Sequence, residues 1–190
     1  MPYNFGPSLA VRARVAPRYV VYALSGGAIV GRPSAGALAQ PARAGIRRTT
    51  VATMLGSAVA LLALPVCLHA DDGAPAVLLL ASFAYAACHS GRASLMPTMM
   101  SHLFDHEVMP LAYGYCNFGM ACAALGAFPL VVYIADGHGA FPAFGCAALA
   151  LVAAAALVSK ADDARAKRDE EAALLIELPA APPDASPPAL

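Results

Sequence analysis

The amino-acid sequence predicts an all-α fold, a polytopic transmembrane helical bundle of about five spans. Hydrophobic residues make up 59% of the chain and charged residues only 13%, against about 45–50% and about 25% in an average soluble domain. The charges are also clustered, which leaves four long runs without Asp, Glu, Lys or Arg, at residues 49–70, 73–91, 108–135 and 137–159. A hydrocarbon core about 30 Å thick needs roughly 20 apolar residues per helix, and these runs have that length.

Five spans follow in chain order. The first, residues 19–39, ends before the basic link QPARAGIRRT, and the second, 50–69, ends at the acidic link ADDGA. The third spans 75–96 and is followed by a polar link, the fourth spans 108–134, and the acidic link ADGHG separates it from the fifth at 139–159. The net charge of zero gives no sign of a nucleic-acid partner. The lipid bilayer is the expected partner of such a chain.

Basic residues orient the spans, because Lys and Arg near span ends favour the cytosolic side. The first link carries Arg43, Arg47 and Arg48, and the tail begins SKADDARAKR, whereas the two acidic links contain no Lys or Arg. We therefore place the first link and the C-terminus in the cytosol and the two acidic links outside. The 97–107 link must then also be cytosolic, although it contains no Lys or Arg. The expected location is the plasma membrane or an internal membrane, as a multi-pass integral protein.

Residues 1–18 do not fit this scheme, since five spans put the N-terminus outside although this segment carries Arg12, Arg14 and Arg18. The basic start, the apolar stretch and ALAQ also resemble a cleaved signal peptide. Cleavage would leave four spans whose basic link and tail require a cytosolic N-terminus, whereas a cleaved end is delivered outside. We therefore expect a chain that begins partway through a larger protein, with residues 1–18 as a truncation remnant.

Residues 160–190 are expected to form a cytosolic disordered tail. The chain becomes charged from Asp162 and ends PAAPPDASPPAL, a composition that cannot pack a core. Within this tail, EEAALL at residues 170–175 is typical of an acidic dileucine sorting signal of endosomal and vacuolar membrane proteins. An ordinary amphipathic helix end is the favoured alternative.

Two stretches carry a resemblance to a known family. GRPSAGALA at residues 31–39, followed by IRR, resembles the end of the eighth helix and the cytosolic link to the ninth in the major facilitator superfamily. LMPTMMSHLFDHEVMPLAYGYCNFGMACAALGAFPLVVYIADGHGAF at 95–141 resembles that superfamily's passage from helix ten through eleven to twelve. More narrowly, the Arg-Pro with small residues after it is similar to the monocarboxylate-transporter branch. The resemblance covers about residues 19–160.

This resemblance implies the C-terminal half of a secondary transporter for a small organic anion, with a monocarboxylate as first candidate and a coupled proton. Such transporters rock two halves around a midplane site, so the missing N-terminal half or another subunit is an expected partner. The sequence departs from the family at two places. Gln40 and Pro41 replace the Asp-Arg of the basic-loop motif, and Ala28 replaces an aspartate one turn before Arg32. A non-transporting membrane scaffold or assembly partner is the alternative function.

Three residues are candidates for substrate binding. The resemblance implies that Arg32 recognises a substrate carboxylate, since a guanidinium fork donates two parallel hydrogen bonds to such a group. An arginine that snorkels to lipid phosphate is the alternative. Tyr113 and Asn117 are four residues apart on one helix face and could line a path, or else form helix-contact hydrogen bonds.

His89 and Arg92 lie one helical turn apart and are candidates for a proton or substrate path. A helix-contact histidine is the favoured alternative for His89, and snorkelling or a pair with a cytosolic acid is the favoured alternative for Arg92. Gly27 and Gly31 form a GxxxG step, which predicts close helix packing.

The remaining polar groups predict no catalytic chemistry. His102, Asp105, His106 and Glu107 could suggest a metal site, but nothing else in the sequence completes a ligand set. The five cysteines lie in apolar runs without CxxC spacing, as expected of small helix-packing residues. Without a phosphate loop, a nucleophile elbow or paired carboxylates inside a span, we expect neither an enzyme nor a cofactor.

Overall fold

The computed structural model describes residue 10, residues 15–66 and residues 75–177. They form five long helices: α1 (Pro17–Leu38), α2 (Gly45–Val66), α3 (Pro75–Leu103), α4 (Met109–His138) and α5 (Ala140–Glu177). These residues contain no β-strand, so the predicted all-α fold class is confirmed. Most of segment 1–18, Cys67, the acidic link at 70–74 and the end of the tail from residue 178 lie outside the described residues.

Local sequence accounts for several helix ends. Pro17 stands at the start of α1, where its missing N–H costs nothing and its fixed φ suits a helix. Gly45 begins α2 with φ +76° and Gly139 separates α4 from α5 with φ +88°, a region that favours glycine. Each helix therefore starts close to the predicted start of its span.

Two helices end well beyond their predicted spans. Helix α3 continues through Pro97 to Leu103, and Leu95 and Met99 are buried on either side of that proline, so packing outweighs the lost backbone hydrogen bond. Helix α5 continues to Glu177, so the prediction of a disordered tail was wrong for residues 160–177. Its Ala, Arg, Lys and Glu residues are strong helix formers. The EEAALL stretch lies in the last turns of this helix.

Helix α3 is the centre of the bundle and contacts the four other helices. Its most extensive contact is with α1, and α2 packs between α3 and α5. Helix α4 contacts mainly α5, and within the described bundle α1 contacts neither α4 nor α5. The core contains Val20, Leu61, Leu64, Leu78 and Tyr85, all buried.

The α1–α3 contact is a close crossing of backbones through small residues. A Cβ atom on Gly27 would overlap the carbonyl oxygen of Phe83, and one on Gly31 would overlap that of Ala87. Ser90 reinforces the crossing, since its hydroxyl donates a hydrogen bond to the carbonyl of Ala28 on the other helix at 3.2 Å. The packing role predicted for the GxxxG step is confirmed.

The outer surface is strongly apolar. Helix α2, and α5 up to residue 171, are each long and apolar enough on their own to cross a membrane. Arg32 lowers the mean hydropathy of α1, and His89 and Arg92 lower that of α3. Large apolar side chains point outward on every helix, among them Ile29, Val59, Leu80, Phe118 and Leu157.

Candidate functional site

Arg32 lies on the exposed side of α1. Its neighbour Gly31 and the following Ala35 are buried against α3, whereas Arg32 falls on an exposed stripe with Ile29 and Gly36. Among the described residues, none forms an ion pair or hydrogen bond with the Arg32 side chain. Pro33 beside it lacks the N–H that would bond the carbonyl of Ile29. The surface around Arg32 therefore offers a cation without a partner in the described bundle, on a mainly apolar helix.

Tyr113 and Asn117 lie one turn apart on α4, and both are exposed. They share a face, as the spacing predicts, but α4 does not contact α1 within the described bundle. These five helices therefore do not bring Tyr113 and Asn117 against Arg32. The binding roles of all three residues stay predictions.

His89 and Arg92 are half-buried on α3. The His89 ring stacks on Tyr85, with ring centroids 5.4 Å apart and planes inclined by 14°. The Nε atom of Arg92 is buried and has no hydrogen-bond partner among the described residues. No acidic side chain in the described ranges pairs with Arg92. Arg92 thus points partly into the protein, unlike Arg32, and a role of either residue in a path stays a prediction.

A polar cluster connects three helices near the start of α2. Its members are Arg47, His102, Ser159, Asp162 and Asp163. Arg47 lies 2.7 Å from Asp163 Oδ1 and 3.5 Å from Asp162 Oδ2, and its Nη2 donates to Ser159 Oγ at 3.1 Å. His102 Nε2 lies 3.1 Å from Asp162 Oδ1. The cluster therefore joins α2 and α3 to α5.

Sequence reasoning missed this cluster. The available signal was orientation, because the positive-inside rule puts the basic link and the ADDAR stretch on one side of the membrane. The sequence groups His102 with Asp105, His106 and Glu107, whereas the His102 ring faces Asp162 on another helix. Within the described residues, no three His, Cys, Asp or Glu side chains are placed to hold a metal ion.

Arg47→Ala is expected to lower the free energy of unfolding by about 1–2 kcal/mol, because Asp162 loses a charged hydrogen-bonding partner. This expected loss is smaller than for a buried ion pair, because the Arg47 side chain is 38% exposed and solvent screens the interaction. Unfolding of the detergent-solubilised chain by denaturant would measure the change.

Asp169→Ala provides the matched control. Its pair with Arg165 is a local one within α5, four residues apart and 3.5 Å long, and pairs at this helical spacing contribute only about 0.2–0.5 kcal/mol. Equal effects of Arg47→Ala and Asp169→Ala would show that the cluster does not hold the helices together.

The long apolar helices, the outward apolar side chains and the close glycine crossing define a polytopic helical membrane protein. Residues 16–186 match the profile of the Major Facilitator Superfamily, and the chain belongs to this family. No curated protein and no solved structure matches the chain.

Membership confirms the superfamily resemblance and shows a membrane protein of a transporter family rather than an enzyme family. It supports transport of some solute across a membrane.

Proposed function

We propose that the chain is the C-terminal part of a secondary transporter that moves a small organic anion, with a monocarboxylate as first candidate. The observation that supports this most directly is Arg32, which is exposed on α1 and unpaired within the described bundle. Arginine in a membrane span is energetically costly and usually faces a cavity or the bundle interior. A carboxylate would satisfy its guanidinium fork with two hydrogen bonds.

The open side of α1 then needs a covering element. Secondary transporters bind substrate between two helical halves, and in our proposal an N-terminal half or another subunit covers the face of Arg32. Tyr113 and Asn117, exposed on α4, would face the same covering element. In this arrangement the end carrying Arg47 and the C-terminus lie in the cytosol.

Because Ala28 stands where the monocarboxylate branch has an aspartate, proton coupling in this chain would need another group that carries the proton. We propose His89 for it, because α3 packs directly on α1 and His89 adjoins Ser90, whose hydroxyl bonds Ala28. A neutral imidazole can accept a proton at one ring nitrogen and release one from the other.

A membrane scaffold is the second candidate function. It is favoured by α4, which contacts mainly α5 and exposes Leu111, Phe118, Leu125 and Leu130. Such a face suits the helix of another membrane protein.

Uptake by proteoliposomes separates these functions. The protein would be isolated from its own membranes with any subunit that co-purifies, and labelled lactate or pyruvate would be supplied outside. We expect saturable uptake that exceeds that of empty vesicles and is stimulated by an inward proton gradient. Uptake equal to that of empty vesicles, with a stable co-purifying membrane protein, would favour the scaffold.

A further inference from the structure

An open groove lies beside the polar cluster, on the opposite end of the bundle from the N-terminus of α3. It has a volume of about 510 Å³ and is lined by Arg47, Arg48, Val51, Ala52 and Leu55 of α2, with Ser159 of α5. Positions 48, 51, 52 and 55 share one face of α2, because they are spaced by three and four residues. The groove therefore runs along α2 and is bounded by α5.

The charge at the mouth of the groove comes mainly from Arg48. The Arg47 guanidinium is already paired with Asp162 and Asp163, whereas Arg48 is exposed and has no ion-pair partner in the described ranges. The Ser159 hydroxyl, beside it, accepts from Arg47 and keeps its own proton to donate. An anion with several acceptor oxygens would complement both groups.

The wall of the groove is apolar. From Arg48 to Leu55 the groove extends along α2 by about 10 Å at the helical rise per residue. Val51, Ala52 and Leu55 line this length, and the helix that carries them is apolar enough to cross a membrane. A water-soluble anion would leave this wall uncovered, whereas an acyl chain would cover it.

We propose that this groove binds an anionic phospholipid, with the headgroup phosphate at Arg48 and Ser159 and an acyl chain along Val51 and Leu55. Arginines at a span end are expected on the cytosolic side, and the cytosolic leaflet is the one that carries anionic lipids. The proposal depends on the membrane placement of α2 and is independent of any transported solute.

Native mass spectrometry of the whole chain in detergent tests this site with phosphatidylserine and with phosphatidylcholine of the same acyl chains. We expect phosphatidylserine to bind more tightly, and Arg48→Ala to weaken that binding about fivefold. Arg43→Ala is the matched control, because Arg43 is an exposed arginine of the same link that does not line the groove. It should leave the affinity unchanged.

A substitution in the wall of the groove and a competition experiment test the same site. Ala52→Phe leaves every charge in place and fills the groove, so it should also weaken phosphatidylserine binding. Inorganic phosphate should fail to displace the lipid, and displacement would instead indicate a site for a soluble anion. Equal losses for Arg48→Ala and Arg43→Ala, or no loss for Ala52→Phe, would overturn the proposal in favour of general surface attraction.

Discussion

Gly31→Ala is expected to lower the free energy of unfolding by about 3 kcal/mol. The added Cβ would overlap the backbone carbonyl of Ala87, and a backbone carbonyl cannot move aside as a flexible side chain can. Helices α1 and α3 would have to separate. That separation would also lengthen the Ser90–Ala28 hydrogen bond, which is 3.2 Å in the structure. Unfolding of the purified chain in detergent would measure the loss.

Gly36→Ala in the same helix is the matched control. A Cβ there would meet no atom within 4 Å, and alanine favours a helix over glycine by about 1 kcal/mol. The control should therefore be neutral or slightly stabilising. If Gly31→Ala had the same effect as Gly36→Ala, the close crossing of α1 and α3 would be contradicted.

The sequence could predict the parts of this fold that depend on composition and local spacing. Charge-free runs predicted α2 to α5, because each helix satisfies its own backbone and needs only an apolar surface. Gly27 and Gly31 predicted a close contact, because small residues one turn apart leave a groove on one helix face. Neither prediction requires the identity of the neighbouring helix.

The contacts between distant segments could not be predicted in the same way. The partner surface of Gly31 depends on the register between α1 and α3, which places Ala87 and Gly91 opposite it. The pairing of Arg47 with Asp162 and Asp163 likewise depends on how far α5 extends beyond the apolar run. Because residues 160–177 were expected to be disordered, no ordered partner for Arg47 was foreseen.

In the candidate site, too, local features could be predicted from the sequence, whereas contacts between helices could not. Arg32 could be singled out from the sequence, since a charge inside an apolar run is costly and needs a reason. That Arg32 is exposed while Gly31 is buried follows from the helical face that packs on α3. Tyr113 and Asn117 do not meet Arg32, because α4 packs mainly on α5 and does not contact α1 within the described bundle.

Arg32→Ala is expected to reduce uptake of a labelled monocarboxylate by about 10- to 100-fold at low substrate concentration. A hydrogen bond to a charged group contributes about 1.5–3 kcal/mol, and tenfold in affinity corresponds to about 1.4 kcal/mol. If Arg32 binds the carboxylate in the ground state as well as during translocation, the change should raise KM and leave the maximal rate nearly unchanged. Initial rates over a range of substrate concentrations would separate the two quantities.

Arg32→Lys separates the contribution of the two parallel guanidinium hydrogen bonds from that of the positive charge. Lysine keeps a cation on the exposed side of α1 but cannot donate two parallel hydrogen bonds from a planar group, so uptake should fall to a value between those of the wild type and Arg32→Ala. Arg43→Ala removes an arginine from the neighbouring link and should leave KM unchanged. A KM that stays constant in Arg32→Ala would remove the carboxylate role, and the exposed arginine would then be explained by lipid phosphate or by a contact with the covering half.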